Sequence, residues 1–183
     1  ELEFDVIVMA TGFDAITGAF TRMQIRGVGG RDLNDYWSDG PMTYLGLCVP
    51  GFPNMFTVAG PQTPFANRPP GAQAQAGWID DAITWLEGSD ASYLQVSEES
   101  GRKWTELCNE IAESLPTTSA GAEANSWFTG ANVEGKAVAY SIYFGGHESH
   151  SDLCDAEAAD DYPSFVKTSS VDELKKASQI QYA

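Results

Sequence analysis

The chemistry-bearing residues of this 183-residue chain gather in two loops and one histidine-containing stretch. The first loop, residues 59–79, sets Phe65, Asn67 and Arg68 among Pro61, Pro64, Pro69 and Pro70. Proline fixes φ and removes a donor, while glycine permits close backbone approach, so a segment rich in both is a shaped loop. Such a loop between a strand end and a helix is where α/β proteins hold ligands, although an ordinary connection would read the same way. The second loop, residues 125–136, packs Trp127, Phe128, Gly130, Asn132, Gly135 and Lys136 into twelve positions. That mixture suits a ligand contact better than a linker; otherwise the two aromatics plug a core edge. The third group, His147, Glu148, His150 and Asp152, has i, i+3 histidines but no HExxH and no third strong ligand. It is expected to be part of a solvated acidic tail rather than a metal site.

These residues need elements to hold them. Residues 55–58 form a β-rich apolar run between Pro53 and Gly60, and residues 78–86 carry apolar positions at helical spacing. Residues 4–10 are almost continuously apolar, the pattern of a strand covered on both faces, and Thr11-Gly12 ends it. Residues 21–51 read as a β-rich connection of short strands and turns, with a further strand at 44–49. A helix is expected over 98–115, with Ser97 as N-cap, Trp104, Leu107, Cys108, Ile111 and Leu115 on one stripe, and Pro116 beyond its end. Residues 138–144 form a strand or buried segment, and residues 171–180 a short terminal helix. The class is therefore α/β: a mixed sheet, a β-rich connection and two main helices. Residues 1–150 are expected as one folded unit and 151–183 as an acidic C-terminal tail.

Composition narrows the function. Ten Lys and Arg against 26 Asp and Glu give a net charge of -16, which repels phosphate backbones and anionic membranes. Neither nucleic acid nor membrane is an expected partner, and no apolar run approaches the ~18 residues of a span. Cys48, Cys108 and Cys154 are an odd, widely spaced set, read as free thiols in a reducing, cytoplasmic setting. No signal peptide is visible. The chain opens on Glu1-Leu2-Glu3-Phe4 and runs straight into a strand, so an upstream portion is expected.

Three motifs carry a resemblance. Ala10-Thr11-Gly12-Phe13-Asp14, then Gly60-Pro61-Gln62-Thr63-Pro64 leading to Asn67, then Ser126-Trp127-Phe128 with Gly130-Ala131-Asn132 and Gly135-Lys136 occur in one order and spacing. Tyr143-Phe144-Gly145-Gly146 extends it. In these, from the first residues to about Gly146, the chain resembles flavin-dependent Baeyer–Villiger monooxygenases of the cyclohexanone monooxygenase type. The resemblance implies the C-terminal part of a flavoprotein with two dinucleotide-binding domains, using FAD and NADPH and O2 to insert one oxygen beside a ketone. It implies that residues 1–150 are the C-terminal part of the FAD-binding domain, with substrate and NADP-covering loops. Thr11 and Gly12 would lie near the dinucleotides, and Gly60, Pro61 and Gln62 near the flavin. Phe65, Ala66, Asn67 and Arg68 would line the substrate face, where Arg68 replaces an apolar residue of many relatives. Trp127 would close over NADP and substrate on a loop shaped by Asn132 and Lys136.

The departures matter equally. The sequence contains no GxGxxG, no Phe-x-Gly-x-x-x-His-x-x-x-Trp fingerprint, and not the family's active-site arginine, which lies upstream of the Thr-Gly turn. The tail after His147 also departs from the family. The phosphate-binding turns would then belong to an N-terminal FAD/NADP-binding portion or partner chain, and this chain alone should have little or no oxygenase activity. The competing reading is a truncated descendant that folds alone, as an oligomer if stable. It would act as a flavin-free binding protein or non-redox enzyme, with Asp14, Tyr143 or His147 as acid–base groups.

Overall fold

A computed structural model describes residues 2–9, 13–65, 67–116, 118 and 126–179. In chain order these contain a short helix α1 (Gly18–Thr21), a 3-10 turn (Val28–Gly30) and a second short helix α2 (Leu33–Tyr36). A long helix α3 (Arg68–Glu87) and strand β1 (Tyr93–Val96) come next, then helices α4 (Glu98–Glu113) and α5 (His147–Ala159). Strand β2 (Phe165–Thr168) and helix α6 (Val171–Gln179) complete the order. The mixture of helices, short strands and a turn-rich first third is the α/β class expected.

Helix α3 starts ten residues earlier than the spacing of 78–86 suggested, with Pro69 and Pro70 in its first turn. Prolines are tolerated there because the first N–H groups of a helix have no intrahelical acceptor. The shaped loop thus shrinks to residues 59–67, and the rest of that stretch is helix. Helix α4 follows its sequence signals closely. Ser97 Oγ accepts from Ser100 N–H at 3.1 Å, and Trp104, Cys108 and Ala112 are buried on one stripe.

The strands lie elsewhere than expected. β1 and β2 form an antiparallel pair in which Tyr93 faces Thr168 and Val96 faces Phe165. Runs 44–49 and 55–58 contribute isolated bridges, Tyr44 to Cys48 and Cys48 to Phe56, and 138–144 only a parallel bridge from Tyr143 to Pro64. Among residues 2–9 no strand is formed, and Leu2, Phe4, Val6, Ile7, Val8 and Met9 are exposed. The reason is physical: an apolar run becomes a strand only when a neighbour accepts its ladder of hydrogen bonds, and the described residues supply none to 2–9.

The second correction concerns the C-terminal segment, which is not a solvated tail. Helix α5 packs on α3, β2 completes the only sheet among the described residues, and His150, Cys154, Glu157 and Tyr162 are buried. The main core joins Leu45, Leu47, Trp78, Leu94, Trp104 and Tyr143 to Cys154 and Tyr162, so residues from this segment help close it. A smaller core of Leu33, Trp37, Val49 and Phe52 sits under the turn-rich region. The acidic count misled because Glu157 is buried with partners. It accepts hydrogen bonds from the Tyr44 hydroxyl and from Ser164 N–H, the latter at 2.8 Å. All three cysteines are buried and free. No described helix is long and apolar enough to cross a membrane.

Candidate functional site

Loop 59–67 turns on two non-glycine residues in left-handed conformation, Ala59 (φ 53°) and Gln62 (φ 63°). Such backbone is held only where its surroundings over-determine it. Around Gln62 they do. Its side-chain Oε1 accepts from Thr43 N–H (3.1 Å) and Thr43 Oγ1 (2.6 Å), and its Nε2 donates to Pro41 O (2.9 Å). Its backbone N–H donates to Ser141 O at 2.8 Å. Gln62 and Pro61 are completely buried. At Gly60, a Cβ would lie 2.6 Å from Thr57 Oγ1, so glycine is required there by packing. Gly60, Pro61 and Gln62 are thus turned inward, where they fix the loop's shape.

Past Pro64 the chain emerges. Phe65 is 58% exposed, and Asn67 and Arg68 are exposed beside it. Arg68 Nη1 donates to Ala59 O at 3.2 Å, bracing the loop's two ends against each other. Asn67 stands at the start of α3 with its side chain making no capping bond. The second loop comes to meet this edge. Phe65 sets its ring 5.3 Å from that of Phe128 at 89° and 6.2 Å from that of Trp127. Trp127 stacks on Phe128 at 4.2 Å, and Phe128 reaches Phe144 at 6.1 Å. At its far end the loop is tied to the residues after the Thr-Gly turn, by an ion pair of Lys136 with Asp14 and by Asn132 Nδ2 donating to Phe13 O at 3.4 Å. Gly130 (φ 77°) and Gly135 (φ 78°) supply the turns that fold it back.

Three segments far apart in sequence therefore meet: 13–14, 60–68 and 126–136. Of the predicted residues, Phe65, Asn67, Arg68, Trp127 and Lys136 lie on these meeting segments, and Gly60, Pro61 and Gln62 lie beneath. Thr11, Gly12 and Ala66 are outside the described residues. Phe128, in the third motif but not among the predicted site residues, is the ring that joins the two loops; its adjacency to Trp127 is the available signal. Asp14, a candidate acid–base group by sequence, is the counter-charge of Lys136. The assembled residues form a ledge; none of the predicted site residues among them lines the clefts of about 380, 290 and 290 Å³, although Thr129 on the same loop borders one of the smaller two.

The other acid–base candidates are structural or solvent-facing. Tyr143 is buried with its hydroxyl 3.0 Å from Ser149 Oγ. His147 is exposed at the start of α5. His150 is buried, with Nε2 donating to Leu45 O at 2.7 Å and Nδ1 3.7 Å from Cys154 Sγ. Burial lowers its pKa, so the neutral ring is favoured, although the bond to Leu45 O works the other way.

The donor set decides what kind of group this ledge suits. An exposed aromatic pair with a neighbouring amide fits the face of a flat ring. A diphosphate needs several converging N–H groups. Here Pro69 and Pro70 have none, and Gly71 N–H already bonds Asn67 O at 3.2 Å. These residues fit the ring portion of a flavin or nicotinamide cofactor, while its phosphates require donors from elsewhere.

No family model matches the sequence. The chain is 37% identical over 166 residues to a phenazine N-monooxygenase of Lysobacter antibioticus, covering 91% of this chain and 30% of that protein. It is 39% identical over 145 residues to cyclohexanone 1,2-monooxygenase of Acinetobacter sp, covering 79% of this chain and 26% of that protein. Further relatives are named as FAD-binding monooxygenases. The crystal structure of cyclohexanone monooxygenase from Rhodococcus sp. Phi1 bound to NADP+ superposes with a TM-score of 0.84 at 37% identity, covering 92% of this chain and 31% of that one. The chain spans about 30% of the length of the relatives it matches. In sequence and in fold alike, this polypeptide is similar to a portion of the Baeyer–Villiger monooxygenases of the cyclohexanone monooxygenase type.

Proposed function

We propose that the chain is the C-terminal, substrate-facing and NADP-covering portion of an FAD- and NADPH-dependent Baeyer–Villiger monooxygenase. The whole enzyme inserts one oxygen of O2 beside a ketone carbonyl to give an ester or lactone. Bound flavin supplies the oxygen-activating chemistry; this chain's residues position and enclose. Gly60, Pro61 and Gln62 hold the loop rigid from below. Phe65, Ala66, Asn67 and Arg68 line the substrate side, with Phe65 excluding water and the Asn67 amide orienting a ring edge or carbonyl. Trp127 closes from the opposite side, on a loop that Lys136 ties to Asp14. Thr11 and Gly12, outside the described residues, are assigned to the dinucleotides by the resemblance alone. Residues 1–150 carry all of these positions, and the segment from 151 onward buttresses α3.

One observation carries the reading: Phe65 on the second motif touches Trp127 and Phe128 on the third, so loops related only by the family pattern share one ledge. The phosphate donors, and with them tight FAD binding, are assigned to an N-terminal portion or partner chain. The test is reconstitution. The chain alone, after gel filtration, is expected to show no flavin absorbance and no NADPH-dependent product. Combined with a GxGxxG-bearing upstream portion of a relative, it should bind FAD and oxidise cyclohexanone. Because one relative is named for N-oxidation of phenazine, that heteroaromatic belongs in the same assay; oxidation of phenazine but not of any ketone would move the substrate class. A stable, cooperatively melting chain that binds a small molecule and never complements an upstream half would favour the flavin-free reading instead.

A further inference from the structure

Arg68 stands exposed at the end of the ledge, three positions after Phe65 and next to Asn67. Three residues of chain span at most about 11 Å, so its Cα lies within that distance of the Phe65 Cα. A guanidinium carries five N–H donors and stays charged at any working pH. Among the described residues Arg68 makes one hydrogen bond, from Nη1 to Ala59 O at 3.2 Å, and no ion pair. That bond is not what fixes Ala59, whose N–H is already held by Oε1 of the buried Gln75 at 2.7 Å. The acidic groups of the meeting segments do not compensate Arg68. Asp14 is paired with Lys136, and Glu134 is exposed and in no ion pair among the described residues. Pro69 and Pro70 have no N–H, so the start of α3 lacks the backbone donors that usually hold an anion. Recognition of an anion at this end of the ledge falls to the Arg68 side chain.

We propose that Arg68 is a specificity-determining residue that selects ketones carrying a carboxylate on a short arm. The apolar body lies against the rings of Phe65, Trp127 and Phe128, and the carboxylate pairs with the guanidinium. This rests on the reading of the ledge as the substrate side of a Baeyer–Villiger monooxygenase. The planar fork of an arginine matches a carboxylate in two parallel N–H···O bonds, a geometry that lysine does not offer. With one N–H on Ala59 O, the group is anchored at the ledge and its other donors are free. A wholly apolar ketone seated over Arg68 would strip water from an unpaired charge, which is costly; a carboxylate pairs that charge. The net charge of -16 does not cancel the contact. Diffuse charge is screened over a Debye length of about 8 Å at physiological salt, whereas a contact pair lies well inside it.

The probes are 3-(2-oxocyclohexyl)propanoate and its methyl ester, which share the ketone and differ in charge. In the enzyme reconstituted with a GxGxxG-bearing upstream portion, kcat/KM should favour the acid by about ten- to a hundredfold, the worth of a charge-assisted pair. The preference should shrink as salt rises. Arg68→Leu should abolish it through the KM for the acid, and Arg68→Lys should restore only part of it. Both probes are oxidised by one preparation, so a general loss of activity cancels in the ratio. Oxidation of cyclohexanone without preference for the acid, or a ratio unchanged in Arg68→Leu, would overturn the assignment and leave the oxygenase reading intact. So would a rise in the KM for NADPH in place of that for the acid, which would give Arg68 to a cofactor phosphate. A mixture that oxidises no ketone would count against the oxygenase reading, and the anion contact is then decided on the chain itself. The Arg68 Nε–H signal of the 15N-labelled chain, identified by its absence in Arg68→Lys, should shift saturably with the acid and not with the ester. Equal responses to the two would overturn the contact.

Discussion

Lys136 and Asp14, 122 positions apart in sequence, form an ion pair in which each side chain is only 22% exposed. The pair joins the end of the third motif to the residue two places beyond the Thr-Gly turn. Together with Asn132 on Phe13 O and the rings of Phe65, Phe128 and Phe144, it holds loop 126–136 at both ends. The ledge therefore depends on long-range contacts rather than on any one stretch of chain.

Lys136→Met keeps the length of the stem and removes the charge. For a partly exposed pair the loss of stability should be about 1 kcal/mol or less. The local effect should be larger than the global one, with amide hydrogen exchange of residues 126–136 accelerating while α4 is unchanged. In a reconstituted enzyme the KM for NADPH should rise more than that for ketone. Uniform exchange across the loop and helix would contradict this.

Gln62→Leu tests whether the second motif is scaffold. The substitution leaves Thr43 N–H and Pro41 O buried without partners, and β-region preferences oppose the φ of 63°. A loss of about 2–4 kcal/mol is expected. Thermal or urea denaturation of the chain in the absence of any cofactor should already show it. A variant as stable as the native chain would mean that the side chain serves only a ligand.

Phe65 and Phe128 should be energetically coupled. A double-mutant cycle with Phe65→Leu and Phe128→Leu should return a coupling of about 0.5–1.5 kcal/mol, the usual range for edge-to-face rings. Additive effects would separate the two loops.

His150 makes stability depend on pH. Burial lowers its folded-state pKa below the ordinary value of about 6.5. The unfolded chain therefore takes up a proton first as pH falls, and the stabilisation is full above about pH 6.5 and declines below it towards the folded-state pKa. Urea midpoints between about pH 7.5 and 5.5, above the range of ordinary carboxylates, should fall for the native chain. In His150→Asn the curve should be flatter, at a lower overall stability because the bond to Leu45 O is weakened.

Gly101→Ala sets helix propensity against packing. In an open helix the change would stabilise by up to ~1 kcal/mol. Here the added Cβ would lie 2.4 Å from Pro50 Cγ. Overpacking of about 1–3 kcal/mol should win, giving a lower Tm. A raised Tm would show that Pro50 yields at little cost.

The sequence by itself determined what depends on neighbours along the chain. Ser97 and the stripe from Trp104 specified α4, because capping and a 3.6-residue period are local properties. The order and spacing of the Thr-Gly, Gly-Pro-Gln and Ser-Trp-Phe motifs carried the resemblance to the monooxygenases that the chain matches in part. Tertiary structure alone decided the rest. The apolar run 4–10 lacks a strand over its described part because a strand's hydrogen bonds are made by another segment, which no local pattern supplies. Residues after His147 looked like a solvated tail because charge counts ignore partners; Glu157 is buried by pairing with Tyr44 and Ser164, 113 and 7 positions away. Gln62, which the resemblance places near the flavin, also braces the loop from within, a role that needs Thr43 and Pro41 brought to it. Local interactions can be read from adjacent letters, whereas a counter-charge, a ladder partner or a hydrogen-bond acceptor exists only once the chain has folded.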